Sequence, residues 1–307
     1  MMCCEIRRDR CPATILVLLG AIALSTTARP AAAIIVRNQQ TNNTAPTGDQ
    51  GFSYVGHFGT NGVPNSGVYL GYINGSNWAL TAYHNLSTSA FHVGSQTLSY
   101  IESQRIGGGT TDLRLVKLGG GSIGLSPLTI RSTAITNGTA VTMVGNGVVA
   151  ATGEIDLDPN LGPPLLGYDW TAITTRPKLW GTNTTIAIDP NQGGTMSFAT
   201  LFNNNAGLNE ATFADKDSGS GVFINNAGGW ELAGVAFGIY QVPSDARLPK
   251  DAGTNNLYSN SVYGDASYMV DLSYYRNDII AAIPEPTSML LMTLGAAALA
   301  TRRRRRV

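Results

Sequence analysis

Asp215-Lys216-Asp217-Ser218-Gly219-Ser220-Gly221-Val222-Phe223-Ile224 places a serine inside a Gly-rich turn that runs straight into an apolar strand. Gly219 and Gly221 let the backbone fold back tightly. That turn lifts the Ser218 hydroxyl outward and gathers backbone N–H groups around it. Such groups stabilise the charge of a tetrahedral oxyanion, and one donor is worth about 2.7–4 kcal/mol in enzymes that use them. A serine hydroxyl is a weak nucleophile until a base stands within hydrogen-bond reach. Ser-Gly turns also serve as ordinary hairpin ends, so the rest of the chain decides what this one is for.

Two upstream stretches supply the missing groups. Asn77-Trp78-Ala79-Leu80-Thr81-Ala82-Tyr83-His84 is an apolar strand that ends in a histidine. A general base belongs at the rim of an ordered element, where it is positioned yet reachable. Thr111-Asp112-Leu113-Arg114-Leu115-Val116-Lys117-Leu118 sets an aspartate at the head of an alternating strand. Alternation points Leu113 and Leu115 inward and Arg114 outward, with Leu118 a further apolar residue at the strand's end. A lone histidine is most often structural and a lone aspartate most often caps a turn, so the weight lies in finding all three together.

Short strand patterns fill the rest of the interior. Gly67–Ile73, Ala140–Val144, Thr185–Ile188 and Leu232–Phe237 are apolar or alternating, with Asn74-Gly75, Asn137-Gly138 and Gly228-Gly229 as turn punctuation. Regular short strands of this kind predict an all-β fold. One segment reads as a helix: Asp271 caps it, and Leu272, Tyr275, Ile279 and Ile283 recur near helical spacing. Residues 37–50 read as a polar lead-in, and 203–209 and 241–260 as surface loops.

Thr-Ala-x-His, then Asp-Leu-x-Leu-x-Lys-Leu, then Asp-Ser-Gly-Ser-Gly, separated by 28 and 106 residues, resembles the chymotrypsin/trypsin-like serine protease family. Ser66-Gly67-Val68-Tyr69-Leu70 is similar to that family's strand before the histidine, and Gly234-Val235-Ala236-Phe237-Gly238 to its substrate-binding strand. The resemblance implies two six-stranded antiparallel β-barrels with the active site between them and a closing helix. Their bounds would be about 50–132, 133–270 and 271–283, inside a protease domain of 34–283. It implies Ser218 as nucleophile, His84 as base and acid, Asp112 as orienter of the imidazole, and the N–H groups of Lys216 and Ser218 as the oxyanion hole. It places Thr212 at the base of the specificity pocket, beside Ala236, Phe237 and Gly238. It also implies that a new N-terminal Ile34 pairs its α-amino group with Asp217. The implied activity is hydrolysis of polypeptides through an acyl-enzyme, with no cofactor and no metal.

The chain departs from that family in places. Lys216 stands where the family usually has Gly, and its side chain is expected to turn the peptide aside or obstruct substrate. Ala236 stands where the family usually has a serine that braces the aspartate, and Asn85 where many members carry a disulfide cysteine. These departures keep a second reading open, an inactive protease fold that binds at the cell surface or matrix.

The two ends read as addresses. Arg7, Arg8 and Arg10, the apolar run Ala13 to Leu24, and Ala31-Ala32-Ala33 form the three parts of a secretory signal, 1–33, with signal peptidase cutting before Ile34-Ile35-Val36. Ile283-Pro284-Glu285-Pro286, an apolar run from Thr287 to Thr301, and Arg302 to Arg306 form a stop-transfer arrangement. The tail 284–307 resembles the PEP-CTERM sorting signal of exopolysaccharide-producing Gram-negative bacteria. It implies processing by an exosortase, membrane contact only through that helix, and a final place outside the cell, on its surface or in its matrix.

Composition agrees once the ends are set aside. The 307 residues balance 20 Lys+Arg against 20 Asp+Glu, but four basic residues lie in 1–33 and five in 284–307. Residues 34–283 keep eleven basic against seventeen acidic residues, a net charge of −6, which excludes a polybasic nucleic-acid binder. All three cysteines, Cys3, Cys4 and Cys11, leave with the signal, so no disulfide framework is expected. His57 and His92 lack ligand-spaced partners, Gly107-Gly108-Gly109 lacks the Lys-Ser/Thr of a phosphate loop, and Glu154, Asp156 and Asp158 read as a solvated loop rather than a calcium site.

Overall fold

The computed structural model describes residues 34–37, 42–59, 65–85, 88–148, 150, 153–157, 164–170, 177–240 and 260–284. The signal, the sorting tail beyond Pro284, Asp158 and most of the 241–260 loop lie outside them. After β1 (Ile35–Val36), the strands β2 (Val55–Phe58), β3 (Asn65–Ile73), β4 (Ser76–Thr81), β5 (Phe91–Val93), β6 (Gln96–Leu98), β7 (Tyr100–Arg105) and β8 (Arg114–Leu118) form the first half. They make an antiparallel sheet in the order β6-β5-β2-β3-β4-β8-β7. Asn74 and Gly75 both adopt positive φ, 53° and 83°, which makes the two-residue hairpin between β3 and β4.

The second half adds β9 (Ala140–Gly145), β10 (Ile155–Asp156), β11 (Leu166–Asp169), β12 (Leu179–Ile186), β13 (Asn191–Gln192), β14 (Thr195–Leu201), β15 (Ala211–Thr212), β16 (Gly221–Asn226), β17 (Gly229–Tyr240), β18 (Asn260–Val262) and β19 (Ala266–Asp271). Here β12-β9-β16-β17-β19-β14 is a ladder that β12 closes by pairing with β14, giving a six-stranded barrel. Among the described residues the first sheet has no such closing ladder. Its two edges, β6 and β7, are one bent stretch joined through Ser99, so it curls into a half-barrel. The α-helix α1 (Leu272–Ala282) follows, with the Asp271 carboxylate accepting from Ser273 N–H at 3.0 Å.

Strand alternation sorts the apolar residues into several clusters, of which three are the largest. Phe58, Tyr69, Phe91, Val116 and Leu118 pack with one another inside the first curl. Val141, Met143, Phe198, Val222 and Met269 fill the second barrel. Val55, Val68, Leu70, Leu80 and Leu115 point the other way, against Val144, Phe223, Leu232, Val235 and Val270, with Leu272, Tyr275 and Ile279 of α1 closing the same cluster. Burial of one large apolar side chain contributes about 1.5–3 kcal/mol, so this seam is what holds the halves at a fixed spacing without disulfides.

Arg114 corrects the simple alternation. It is buried, because Tyr83 folds over the head of β8; the guanidinium lies 4.5 Å from the centre of that ring and donates to Tyr83 O at 2.9 Å. Asp156 accepts from Leu165 N–H and Glu154 from the Tyr263 hydroxyl. Among the described residues no three His, Cys, Asp or Glu side chains converge as metal ligands, and no helix is long and apolar enough to cross a membrane.

Candidate active site

His84 leaves the end of β4, Asp112 stands two residues before β8, and Ser218 occupies the turn before β16. β4 and β8 are hydrogen-bonded neighbours, with Thr81 opposite Arg114, so the first two groups meet above the same pair of strands. The third comes from the second barrel, across the seam.

The three side chains form one line. His84 Nδ1 lies 2.7 Å from Asp112 Oδ2, and His84 Nε2 lies 2.8 Å from Ser218 Oγ. The Asp112 carboxylate also accepts from His84 N–H at 2.9 Å, which fixes the residue at backbone and ring together. Burial pushes the Asp112 carboxyl up, but hydrogen bonds from the His84 ring and the His84 and Tyr83 backbone, with the attraction of the imidazole, bring it below its ordinary value. An ionised carboxylate only accepts, so Nδ1 carries the proton and Nε2 presents its lone pair to the serine hydroxyl. A hydroxyl so placed can pass its proton to the ring as its oxygen attacks. His84 is half exposed and open to a ligand, whereas Asp112 is mostly covered.

The turn around Ser218 is held by backbone contacts. Gly219 N–H donates to Ala236 O at 2.8 Å, and Ser220 N–H to Asp217 O at 2.8 Å. Among the described residues no protein acceptor takes the N–H of Lys216 or of Ser218. Lys216 adopts φ +70°, the left-handed region, at a cost of about 1–2 kcal/mol for a residue with a Cβ. Its side chain is drawn to Asp215, with Nζ 3.3 Å from the carboxylate.

A cleft of about 450 Å³ opens beside Ser218, lined by His84 and Asn85, by residues 213–217 and by residues 236–239. Thr212 does not line it. As a residue of β15 it pairs with Ile35 of β1, is buried, and lies hydroxyl to hydroxyl against Ser267 at 2.9 Å. Ala236 contributes backbone: its O holds Gly219 and its N–H donates to Ser220 O at 2.9 Å.

Asp217 is fully buried and its carboxylate accepts from Gly147 N–H at 2.8 Å, Ala214 N–H at 2.9 Å and the Ser220 hydroxyl at 3.3 Å. Burial pushes its carboxyl up to about 7, against those hydrogen bonds, and no cation pairs with it among the described residues. Gly145 and Gly147 are required beside it, because a Cβ on either would come within 2.5 Å of the Asp217 carboxylate. Ile34 is buried among the second-barrel residues, and in the full-length chain its nitrogen is a peptide nitrogen, so the expected pairing with Asp217 is not formed there.

Sequence reasoning missed the supports of this site. Thr195 Oγ1 accepts from Asp112 N–H at 2.9 Å, and Asn85 Nδ2 donates to Ser218 O at 2.7 Å. Each partner is more than eighty residues away along the chain, so no local pattern announces either contact.

Comparison with known proteins agrees with this architecture. Residues 282–305 match the family described as the PEP-CTERM protein-sorting motif. No curated protein matches the chain. Among solved structures, neuropsin, a serine protease expressed in the limbic system of mouse brain, is similar at 13% identity, covering 76% of this chain and 96% of that one with a TM-score of 0.50. Human heparin binding protein is similar at 14% identity, covering 77% and 95%, also with a TM-score of 0.50. At these identities the likeness is one of fold, and the fold is the chymotrypsin-like one.

Proposed function

We propose that this chain, a protein of chymotrypsin-like fold that carries a PEP-CTERM export motif, is an extracytoplasmic serine endopeptidase. The observation that carries the reading is the unbroken line from Asp112 Oδ2 through His84 to Ser218 Oγ, at 2.7 and 2.8 Å. Ser218 Oγ attacks the scissile carbonyl while His84 Nε2 takes its proton. The N–H groups of Lys216 and Ser218 receive the oxyanion. His84 returns the proton to the leaving amine, and water repeats the sequence on the acyl-enzyme. Asp112 stays ionised and stabilises the imidazolium. Incubation of the exported, processed chain with an unstructured polypeptide is expected to yield new N-termini, and Asp112→Asn to slow that cleavage about 10⁴-fold by upsetting the tautomer. A folded chain that cleaves nothing would favour the second reading, an inactive surface or matrix binder. The observation on that side is Lys216 in the lining of the cleft, paired with Asp215.

Processing at Ile34 fits the same reading. In the full-length chain Ile34 sits at φ +66°, a strained conformation for a β-branched residue. Cutting the bond before it removes that restriction and creates an α-amino group on the strand that runs beside Ala211 and Thr212. Asp217, buried without a cation, is the group such an amine would pair with. This gives a pH test. A carboxyl raised from 3.8 to about 7 on folding binds its proton more tightly in the folded state. Stability is then highest below the unfolded value and falls as pH rises from about 4 to about 7. Glu210, likewise raised to about 7 by burial, adds the same slope to every form of the chain. A form extended upstream of Ile34 is therefore expected to lose Tm across that window, whereas a form beginning at Ile34 keeps Asp217 ionised and loses less. The gap between the two should widen from pH 4 to 7. Equal Tm at every pH, or a mature N-terminus outside Ile34–Val36, would rule the pairing out.

A further inference from the structure

We propose that Asn85, the residue that follows His84, is a positioning residue that sets the Ser218–His84 geometry through its side-chain amide. The proposal rests on the endopeptidase reading above and adds to it the group that joins the two halves of the reacting line. Asn85 is buried, and Nδ2 donates to Ser218 O at 2.7 Å and to Thr81 Oγ1 at 2.9 Å. The network fixes which way the amide faces. A carbonyl such as Ser218 O can only accept, and Thr81 Oγ1 already donates its one proton to Ser66 O at 2.7 Å, so both neighbours require the NH₂ end. Both amide hydrogens are thereby engaged.

The consequence for Ser218 is mechanical. The peptide unit between Ser218 and Gly219 is gripped at both poles: Asn85 holds its carbonyl, and Ala236 O holds its N–H at 2.8 Å. Asn85 is covalently joined to His84, so one hydrogen bond ties the turn that bears the base to the turn that bears the nucleophile, across the seam between the two halves. The 2.8 Å separation of His84 Nε2 and Ser218 Oγ then follows from a fixed frame rather than from the mutual attraction of two side chains. Ordinary core packing needs none of this, because an apolar residue of similar size would fill the same space without holding the carbonyl.

The test uses the exported, processed chain, with kcat, KM, Tm and the pH profile of kcat/KM measured together. Asn85→Ala is expected to lower kcat about 10–100-fold at temperatures well below its Tm, since displacements of about 1 Å cost up to 10²-fold. KM should move less than about threefold, because Asn85 touches the cleft only beside His84 and the residues 213–216 and 236–239 that form most of its lining are unchanged. Asn85→Asp keeps the size but turns an acceptor toward Ser218 O. It should lose at least as much kcat, and its charge beside His84 should move the acid limb of the profile to higher pH. Asn183→Ala is the control, a buried amide of the second barrel that holds Leu201 O and Ala211 O at 3.0 and 2.8 Å. It should lower Tm by a similar amount and leave kcat unchanged. An active wild-type chain beside a folded Asn85→Ala or Asn85→Asp of equal kcat overturns this proposal alone. So does failure of both variants to fold at any temperature, which would make the residue a support of the fold. A wild-type chain that cleaves nothing overturns the endopeptidase reading and this proposal with it.

Discussion

Replacing Ser218 with Ala is expected to lower kcat for polypeptide hydrolysis by about 10⁵–10⁶-fold, and His84→Ala by a similar factor. The two losses should not add, because the hydroxyl and the imidazole act as one unit through a 2.8 Å hydrogen bond. The double variant should therefore be no slower than either single one. Fold stability separates this outcome from simple unfolding. Ser218 is only partly buried and His84 is half exposed, so neither truncation opens a cavity in the apolar cores. Changes of Tm should stay within about 2 °C, in line with substitutions away from a core. If Ser218→Ala kept more than a hundredth of the wild-type kcat, the hydrolysis would have to come from another group or from a contaminant.

Gly219→Ala should be severely damaging for a change of one methyl group. Gly219 adopts φ +95°, where a Cβ is strained. That Cβ would also stand 1.9 Å from Ser66 O and 2.4 Å from Thr81 Oγ1, neither of which can move freely. Ser66 O belongs to β3 and accepts from Thr81, which itself accepts from Asn85. The overlap must be relieved by displacing the Ser218 turn from the first half of the molecule. A cost of about 3–5 kcal/mol is expected, at the upper end for one substitution. In a domain of this size that is a fall in Tm of roughly 10 °C. Folded Gly219→Ala, assayed cold, should still show kcat lowered by at least about 10²-fold, because the nucleophile has moved relative to His84. A normal Tm would mean that the close approach of the two turns is misplaced.

How much of this was legible in the sequence differs from group to group. His84, Asp112 and Ser218 each sat in a pattern that local chemistry explains: a strand end, a strand head and a Gly-rich turn. The structure brings them into one line, although Ser218 lies 134 residues from His84. The closing helix was readable because its cap and its apolar spacing are both local. Lys216 was legible as an anomaly, but not its outcome. The turn imposes φ +70° on it, and Asp215 takes the charge aside. The family resemblance places Thr212 at the pocket base, but a resemblance in sequence cannot show that β15 pairs with β1 and turns that hydroxyl toward Ser267. Arg114 was placed by alternation, which fails where a strand begins beneath a ring such as Tyr83. Asn85, Thr195 and Gly147 carry no local signature, because each works on a partner brought near only by the folding of both halves.

The most direct measurement of the central claim is the intact mass of the exported, processed chain after exposure to a fluorophosphonate. Such a probe reacts with a serine hydroxyl only where a base activates it and donors stabilise the phosphorus oxyanion. The account predicts one adduct, located on Ser218 by peptide mapping, formed by the folded chain and abolished by heat denaturation and by His84→Ala. A folded chain with a cooperative thermal transition and no adduct on Ser218 would contradict it.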